Sequence, residues 1–280
     1  MTMRKPATAG LVGAGLDVGG AALFLGYRAL AGGRDGAAAK EQATYPPLDT
    51  PKPLADNVWT VDSGPMSAMG LVMPVRMTIV RLGNGDLFLH SPTQLTPGLA
   101  REIEALGTVK HLVAPNIAHW TFLADWQRAF PDATTWAAPG LRDRAQVRRS
   151  DVRIDVDLGG DAPAVWADEM AQGVIAGGGG FREVYFLHKP TRTLLLVDLI
   201  ENLEPRKLPP VTRLLMRASV ATDETTALHV RAVLKLGGKQ AADAVRAMVA
   251  LEPVRVVFAH GVFFAERGAE RLARAFAWLI

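Results

Sequence analysis

Three apolar runs of this chain each deliver, at or just past their C-terminal end, a side chain able to bind a metal ion or a proton. His111-Leu112-Val113-Ala114 leads through Pro115, Asn116, Ile117 and Ala118 to His119, Leu194-Leu195-Leu196-Val197 leads to Asp198, and Val256-Val257-Phe258-Ala259 leads to His260. Short, nearly uninterrupted apolar runs of this kind suit strands buried on both faces, as in sheets covered by helices. Loops beyond the carboxyl ends of such strands collect ligands, because a rigid sheet stands behind them and solvent ahead. Two imidazoles and a carboxylate brought together there would make a metal site.

The rest of the pattern agrees with an α/β fold. Residues 57–62 alternate as a strand, residues 75–82 form another, and Gly83-Asn84-Gly85-Asp86 is a turn signal before Leu87-Phe88-Leu89-His90, which predicts a hairpin. A helix is expected over 96–106, with Leu99, Ile103 and Leu106 on one face and Gly107 as its stop. A strand at 111–114, a helix over 121–130, a strand at 134–138 and a basic helix over 140–149 follow. The second half is expected to begin after the glycine run 177–180, with strands 183–187 and 193–197 joined by the turn 188–192. A helical stretch over 223–251, broken near Gly237 and Gly238, a strand at 254–259 and a helix over 268–279 complete the chain. Both halves read as a hairpin, then helices, then a lone strand, which predicts two similar sheets packed face to face.

Ahead of this lies a segment of different composition. Residues 7–27, behind Arg4 and Lys5, are almost wholly Ala, Gly, Leu, Val and Phe, with Asp17 the one charge. About 20 apolar residues cross a bilayer as a helix, although Asp17 at its centre costs about 2.5–3.5 kcal/mol. Residues 1–31 are therefore expected to form an N-terminal hydrophobic helix, a single-pass anchor in a bacterial inner membrane. A cleaved signal ending at Ala29-Leu30-Ala31 and a flexible soluble tail are the other readings. Basic residues flank both ends, so charge does not fix the side of the membrane. Residues 32–53, rich in Gly, Ala, Pro and charge, read as a flexible linker, and 54–280 as the folded domain.

Composition narrows the classes of function. With 49% hydrophobic and 21% charged residues the chain is globular over most of its length. Its net charge of +3 is spread rather than gathered in a stripe with aromatics, so nucleic acid is not the expected partner. There are no cysteines, which excludes disulfides, thiolate metal sites and a cysteine nucleophile.

Taken together the strand-end residues resemble the metallo-β-lactamase fold superfamily, in which two αββα halves meet and metal ligands lie along one edge. Members carry a His-x-His-x-Asp-His motif, a later histidine before a hairpin, an aspartate after a hairpin strand and a histidine-glycine after the last strand. With the motif's final histidine on His119, its other positions fall on Ala114, Asn116 and Ala118, while the aspartate falls on Asp198 and the last histidine on His260. The resemblance thus implies that the first metal site has lost its ligands, one of them to the glycine run 177–180, and that the second keeps His119, Asp198 and His260. The closer resemblance is to a branch of that superfamily, domain of unknown function 4336, over residues 54–203 and more weakly beyond. It rests on Pro53-Leu54-Ala55-Asp56-Asn57-Val58-Trp59, Arg76-Met77-Thr78, Leu89-His90-Ser91-Pro92, Ala114-Pro115-Asn116 with His119, Phe130-Pro131 and Arg192-Thr193 through Asp198. It implies a four-layer αββα sandwich and carries no assigned reaction.

Each residue also has a plainer reading. His119 alone suits a hydrogen-bonded structural histidine, and Asp198 a helix cap or an arginine partner, because a buried carboxylate must be paired. Jointly, two histidines and a carboxylate suffice for one Zn, Mn or Fe ion with open positions, and such an ion makes water a nucleophile near neutral pH. Asn116 offers a neutral oxygen, and His90 is expected to orient a ligand from behind, to join the ligands itself, or to bond backbone. His188 in its turn is expected to be exposed, His229 on an amphipathic helix and His111 at a strand start, none of them catalytic. Arg142, Arg144, Arg148 and Arg149 read as a solvated face or a site for an acidic group. Residues 209–217 mix apolar and basic side chains, reading as a plain edge helix or, if the N-terminus is anchored, as a segment lying against the membrane. Two functions stay in competition: a membrane-tethered, one-metal hydrolase of an unidentified small molecule, and a binding or structural protein that has lost its metal.

Overall fold

The computed structural model describes residues 43–68 and 71–280. The helix expected over 1–31 lies outside the described residues, as does most of the 32–53 linker. Among the described residues no helix is long and apolar enough to cross a membrane. The chain is packed from Ala43 (1% exposed), ahead of the expected start at residue 54. Lys207 Nζ donates to the Thr44 carbonyl at 2.8 Å and so ties this segment down.

Strands β1 (Lys52–Ala55), β2 (Val58–Ala68), β3 (Leu71–Arg81), β4 (Asp86–His90), β5 (Thr108–Ala114), β6 (Thr134–Ala137) and β7 (Val156–Asp157) form the first sheet in that order. It is antiparallel from β1 to β4 and parallel from β4 to β7. Strands β8 (Met170–Ala176), β9 (Arg182–His188), β10 (Thr193–Leu195) and β11 (Arg255–Val257) form the second, ordered β11-β10-β9-β8. Here β10 pairs parallel with β11 and antiparallel with β9. The helices are α1 (Pro97–Glu104), α2 (Leu123–Ala129), α3 (Ala145–Arg148), α4 (Pro210–Ala218), α5 (Leu228–Leu236), α6 (Gly238–Val249) and α7 (Gly268–Phe276).

The period of two along the strands builds the layers. In β4, Leu87 and Leu89 join Leu99, Ile103 and Trp126 of α1 and α2 in one core cluster, whereas Phe88 points the other way into a cluster shared with Trp166, Val184, Phe186, Leu195 and Val257. On the second sheet, Ile175, Tyr185, Leu194 and Val256 pack with Val230, Leu234, Val245 and Phe276 from α5, α6 and α7. Two mixed sheets therefore face each other, with helices on the outer face of each. Each outer face buries enough Leu, Ile and Val for burial, at about 25 cal/mol per Å² of apolar area, to dominate its stability.

Three sequence expectations need correction. The second sheet begins with β8, ahead of the glycine run. Met170-Ala171-Gln172-Gly173 has little β-branched character, and Gly173 is needed there because a Cβ would lie 2.3 Å from Tyr185 Oη. The basic helix over 140–149 contracts to α3, since Gly140 takes φ +85° and the following residues turn, Arg144 N bonding Leu141 O at 3.1 Å. The helical stretch starts at Leu228 rather than 223, because Glu201 N is bonded to Thr225 O at 3.0 Å and holds that segment extended. The break at Gly237 falls where the sequence places it.

Two features of register assemble the site. Leu195 is level with Val257 across β10 and β11, and the same offset carried forward sets Asp198 beside His260. On the other sheet the chain leaving β5 crosses over: Val184 N bonds Pro115 O at 2.8 Å, and Asn116 forms an antiparallel bridge with Glu183 of β9.

Candidate metal centre

The three strand-end residues converge. One ligand atom from each of His119, Asp198 and His260 lies within 4.8 Å of the other two. His119 Nε2 is 3.0 Å and His260 Nε2 3.1 Å from the same oxygen, Asp198 Oδ1. Among the described residues no other group of three such side chains gathers so closely.

Each of these side chains is held from behind. Ser91 Oγ lies 2.7 Å from His119 Nδ1. His260 Nδ1 faces the Pro74 carbonyl at 2.8 Å, and because a carbonyl only accepts, Nδ1 must carry the hydrogen. Asn116 Nδ2 donates to Asp198 Oδ2 at 2.6 Å, and Asn116 Oδ1 accepts from the backbone N–H of Ala118 and His119, both at 2.9 Å. Glu183, fully buried in β9, accepts from the N–H groups of Val197 (2.8 Å) and Asp198 (3.0 Å), and fixes the point where β10 ends.

The charges are unbalanced. Burial pushes Glu183 up to about 8, with the Asp198 charge adding to the effect, and burial likewise raises Glu201 to about 7. Burial would also raise Asp198, but the charge and hydrogen bonds of His119 and His260 hold it well below the usual range. Burial opposes protonation of His260, yet the hydrogen bond and charge of Asp198, joined by Glu201 and the Pro74 carbonyl, raise its pKa on balance. Among the described residues no arginine or lysine pairs with Asp198 and Asp198 is the N-cap of no helix, so the arginine and helix-cap explanations for it do not hold.

This donor set fits a metal ion. With Nδ1 of His260 protonated, a neutral ring turns the lone pair of Nε2 toward a carboxylate oxygen, a repulsive contact unless a proton or a cation sits between them. Ligands about 2.0–2.1 Å from a tetrahedral ion stand about 3.3 Å apart, close to the separations from Asp198 Oδ1.

Of the other candidates, Asn116 is in the site, but it serves as a clamp on Asp198 and the His119 loop. His90 is buried at the end of β4, its Nε2 has no partner, and burial with the nearby His119 lowers its pKa to about 3. The orienting contact expected of His90 comes instead from its neighbour Ser91, which adopts φ +57°. His188 is buried, not exposed, and contacts Thr191 Oγ1 at 2.8 Å. His111 accepts from Trp136 Nε1 at 3.2 Å within the core. His229 lies on α5 with an exposed side chain and is not among the groups that converge on Asp198. Reading the sequence missed Ser91, Glu183 and the salt bridge below His260; the lone acid in Val184's apolar strand was the one local signal available.

That salt bridge joins Arg76 and Asp62, with Nη2 to Oδ1 2.7 Å, and Lys52 also contacts Asp62. Arg76 Nη1 donates to the carbonyls of Phe258 (3.0 Å) and Gly261 (2.8 Å), on either side of His260. Gly261 has φ +99°, and a Cβ there would meet Asn202 O at 2.0 Å. Gly261→Ala is therefore expected to cost about 1–3 kcal/mol from backbone strain alone, and more from the clash. Denaturant unfolding checks this, and an unchanged midpoint would refute the packing argument.

The comparisons with known proteins bear on this site. The family model described as "Domain of unknown function (DUF4336)" matches residues 55–241. No curated protein matches the chain. Among solved structures, a metallo-β-lactamase from Pontibacter korlensis superposes with TM-score 0.58 at 16% identity, covering 82% of this chain and 97% of that one. A metallo-β-lactamase from Hirschia baltica gives TM-score 0.56 at 14% identity, covering 82% and 96%. FIM-1 from Pseudomonas aeruginosa, a metallo-β-lactamase in its mono-zinc form, gives 0.52 at 15%, covering 82% and 93%. At these identities the likeness shows the fold, while reaction and substrate are matters for the site itself.

Proposed function

This chain belongs to the DUF4336 family, and from that premise we propose that it is a hydrolase working with one divalent metal ion at His119, Asp198 and His260, on the four-layer αββα sandwich of the metallo-β-lactamase fold. The observation that carries this reading is that two Nε2 atoms meet at one oxygen of Asp198 while the opposite nitrogen of each ring is engaged elsewhere. That is the geometry of histidines prepared to ligate through Nε2, with Ser91 and the Pro74 carbonyl orienting them. Asn116 occupies Oδ2 of Asp198 and leaves Oδ1 free for the ion, and Glu183 holds the backbone from which Asp198 projects. A Zn, Mn or Fe ion held there supplies Lewis acidity and brings the pKa of water toward neutrality. Three protein ligands leave positions open for water and for a small-molecule substrate. The apolar run 7–27 further supports a tether through residues 1–31, which would place the enzyme on a membrane.

One observation favours a second reading. His119, His260 and Asn116 also satisfy Asp198 among themselves, so the cluster would serve as a polar knot joining the two sheets in a non-catalytic binding or structural protein. Elemental analysis divides the two. The full chain purified without chelators is expected to hold near-stoichiometric Zn, Mn or Fe, and the His119→Ala, His260→Ala double variant none. A parent chain that stays metal-free after supplementation leaves only the knot.

A further inference from the structure

We propose that α4 is an interfacial helix that seats on an anionic lipid bilayer beside the point where the N-terminal segment joins the fold. The inference rests on the membrane tether of the reading above and adds to it a face of the folded domain.

The argument starts from where the chain enters. Ala43 packs in a cluster with Leu203, Leu208, Ala221 and Met216, the last on the inward face of α4. Thr44 accepts from Lys207 Nζ, and that ammonium lies 4.2 Å from the centre of the Tyr45 ring. Residues 43–45 are thereby held beside α4 and the turn that precedes it, and the sequence ahead of them includes the apolar run 7–27.

The outward face of α4 suits such a surface. Thr212 and Met216 are buried, while Pro210, Leu214 and Ala218, spaced four apart, form an exposed stripe in which Leu214 is 69% exposed. Arg213 and Arg217, also four apart, flank it, and α4 contains no acidic residue. Neither guanidinium has a hydrogen bond or ion pair among the described residues. An apolar stripe bordered by cations is the pattern of a helix lying in the plane of an anionic interface. Arginines near such a surface contribute attraction that acidic lipids supply and zwitterionic lipids do not.

The absence of cysteine makes the test direct. Leu214→Cys in the full chain takes a single environment-sensitive fluorophore, with Val165→Cys, exposed on the connection between β7 and β8, as the control. On phosphatidylglycerol-containing vesicles doped with nitroxide lipids, the Leu214 probe is expected to shift to the blue and be quenched by the nitroxide, and the Val165 probe to do neither. Replacing Arg213 and Arg217 by Gln should lower the ratio of docked to undocked probe by about fivefold for each charge removed. A chain that floats with the vesicles while its Leu214 probe stays as open to aqueous iodide as the Val165 probe would overturn the proposal and spare the tether. Failure to float sinks both. A blue shift without vesicles that disappears on dilution would assign the face to a second copy of the chain instead.

Discussion

Asp198→Asn is expected to strip the metal from the chain while leaving it folded. Asn is isosteric and can keep one contact to Asn116, so the loss in stability should be about 1.5–3 kcal/mol, the range for a hydrogen bond to a charged group. That figure suits a side chain still 21% exposed. Metal affinity should fall by more than the about 10–100-fold that follows loss of a group merely orienting a ligand. Without the carboxylate, His260 loses the charge and hydrogen bond that raise its pKa, and burial then favours the neutral ring. The parent chain should show the converse in its pH dependence. His260 must release a proton before Nε2 can ligate, so apparent affinity rises with pH, by about tenfold per unit while the ring stays protonated.

For the metal-free chain the sign is opposite. His260, Glu183 and Glu201 have folded pKa values above their unfolded ones, so their contributions are fully present at low pH and are lost as pH rises through the folded values. His90, whose folded pKa is lowered, acts the other way, but only below its ordinary 6.5. Chelated parent protein should therefore lose stability from pH 6.5 to about 8, where Glu183 titrates. Asn at 198 should flatten the slope, since the Asp198 charge helps to raise all three. Metal titrations and thermal melts across that range check both signs, and full metal content in the Asn variant would remove Asp198 from the site.

The sequence exposed those parts of the site that local pattern encodes. Apolar runs ending in Asp198 and His260 betray strands by composition alone, and the parallel pairing of β10 with β11 then sets the two residues side by side. His119 was legible in the same way, through the run ending at Ala114. The supporting groups were not, because their roles depend on partners far away in the chain. Glu183 acts on the N–H groups of Val197 and Asp198 across a hairpin, and Ser91 reaches His119 from another strand end. Strand β8 went unseen because its small residues are selected by the rings they pack under, such as Tyr185 over Gly173, and not by intrinsic preference for strand. His188 looked like a turn residue by its neighbours, yet pairing with Met170 and Thr193 buries it between two strands.

Arg76→Met should be the most damaging single change to stability, and its consequences separate two functions of one side chain. Arg76 is 4% exposed, and its guanidinium pairs with Asp62, donates to both carbonyls flanking His260, and lies 4.9 Å from the Phe263 ring centre. Methionine fills much of the volume but leaves Asp62 buried with only the partly exposed Lys52 as counter-charge. Breaking a buried pair from one side costs about 3–5 kcal/mol where the remaining charge is uncompensated, and Lys52 offsets only part of that here. Adding Asp62→Asn to Arg76→Met removes that charge, so the double variant should recover much of the stability in denaturant melts. It cannot restore the hydrogen bonds to Phe258 and Gly261. His260 would then sit on an unanchored turn, and metal affinity should stay low in the double variant although its fold is repaired. If affinity returned together with stability, Arg76 would act on the fold alone. A gap between the two measurements assigns it the positioning of His260, which neither its burial nor its charge would disclose without those two carbonyls.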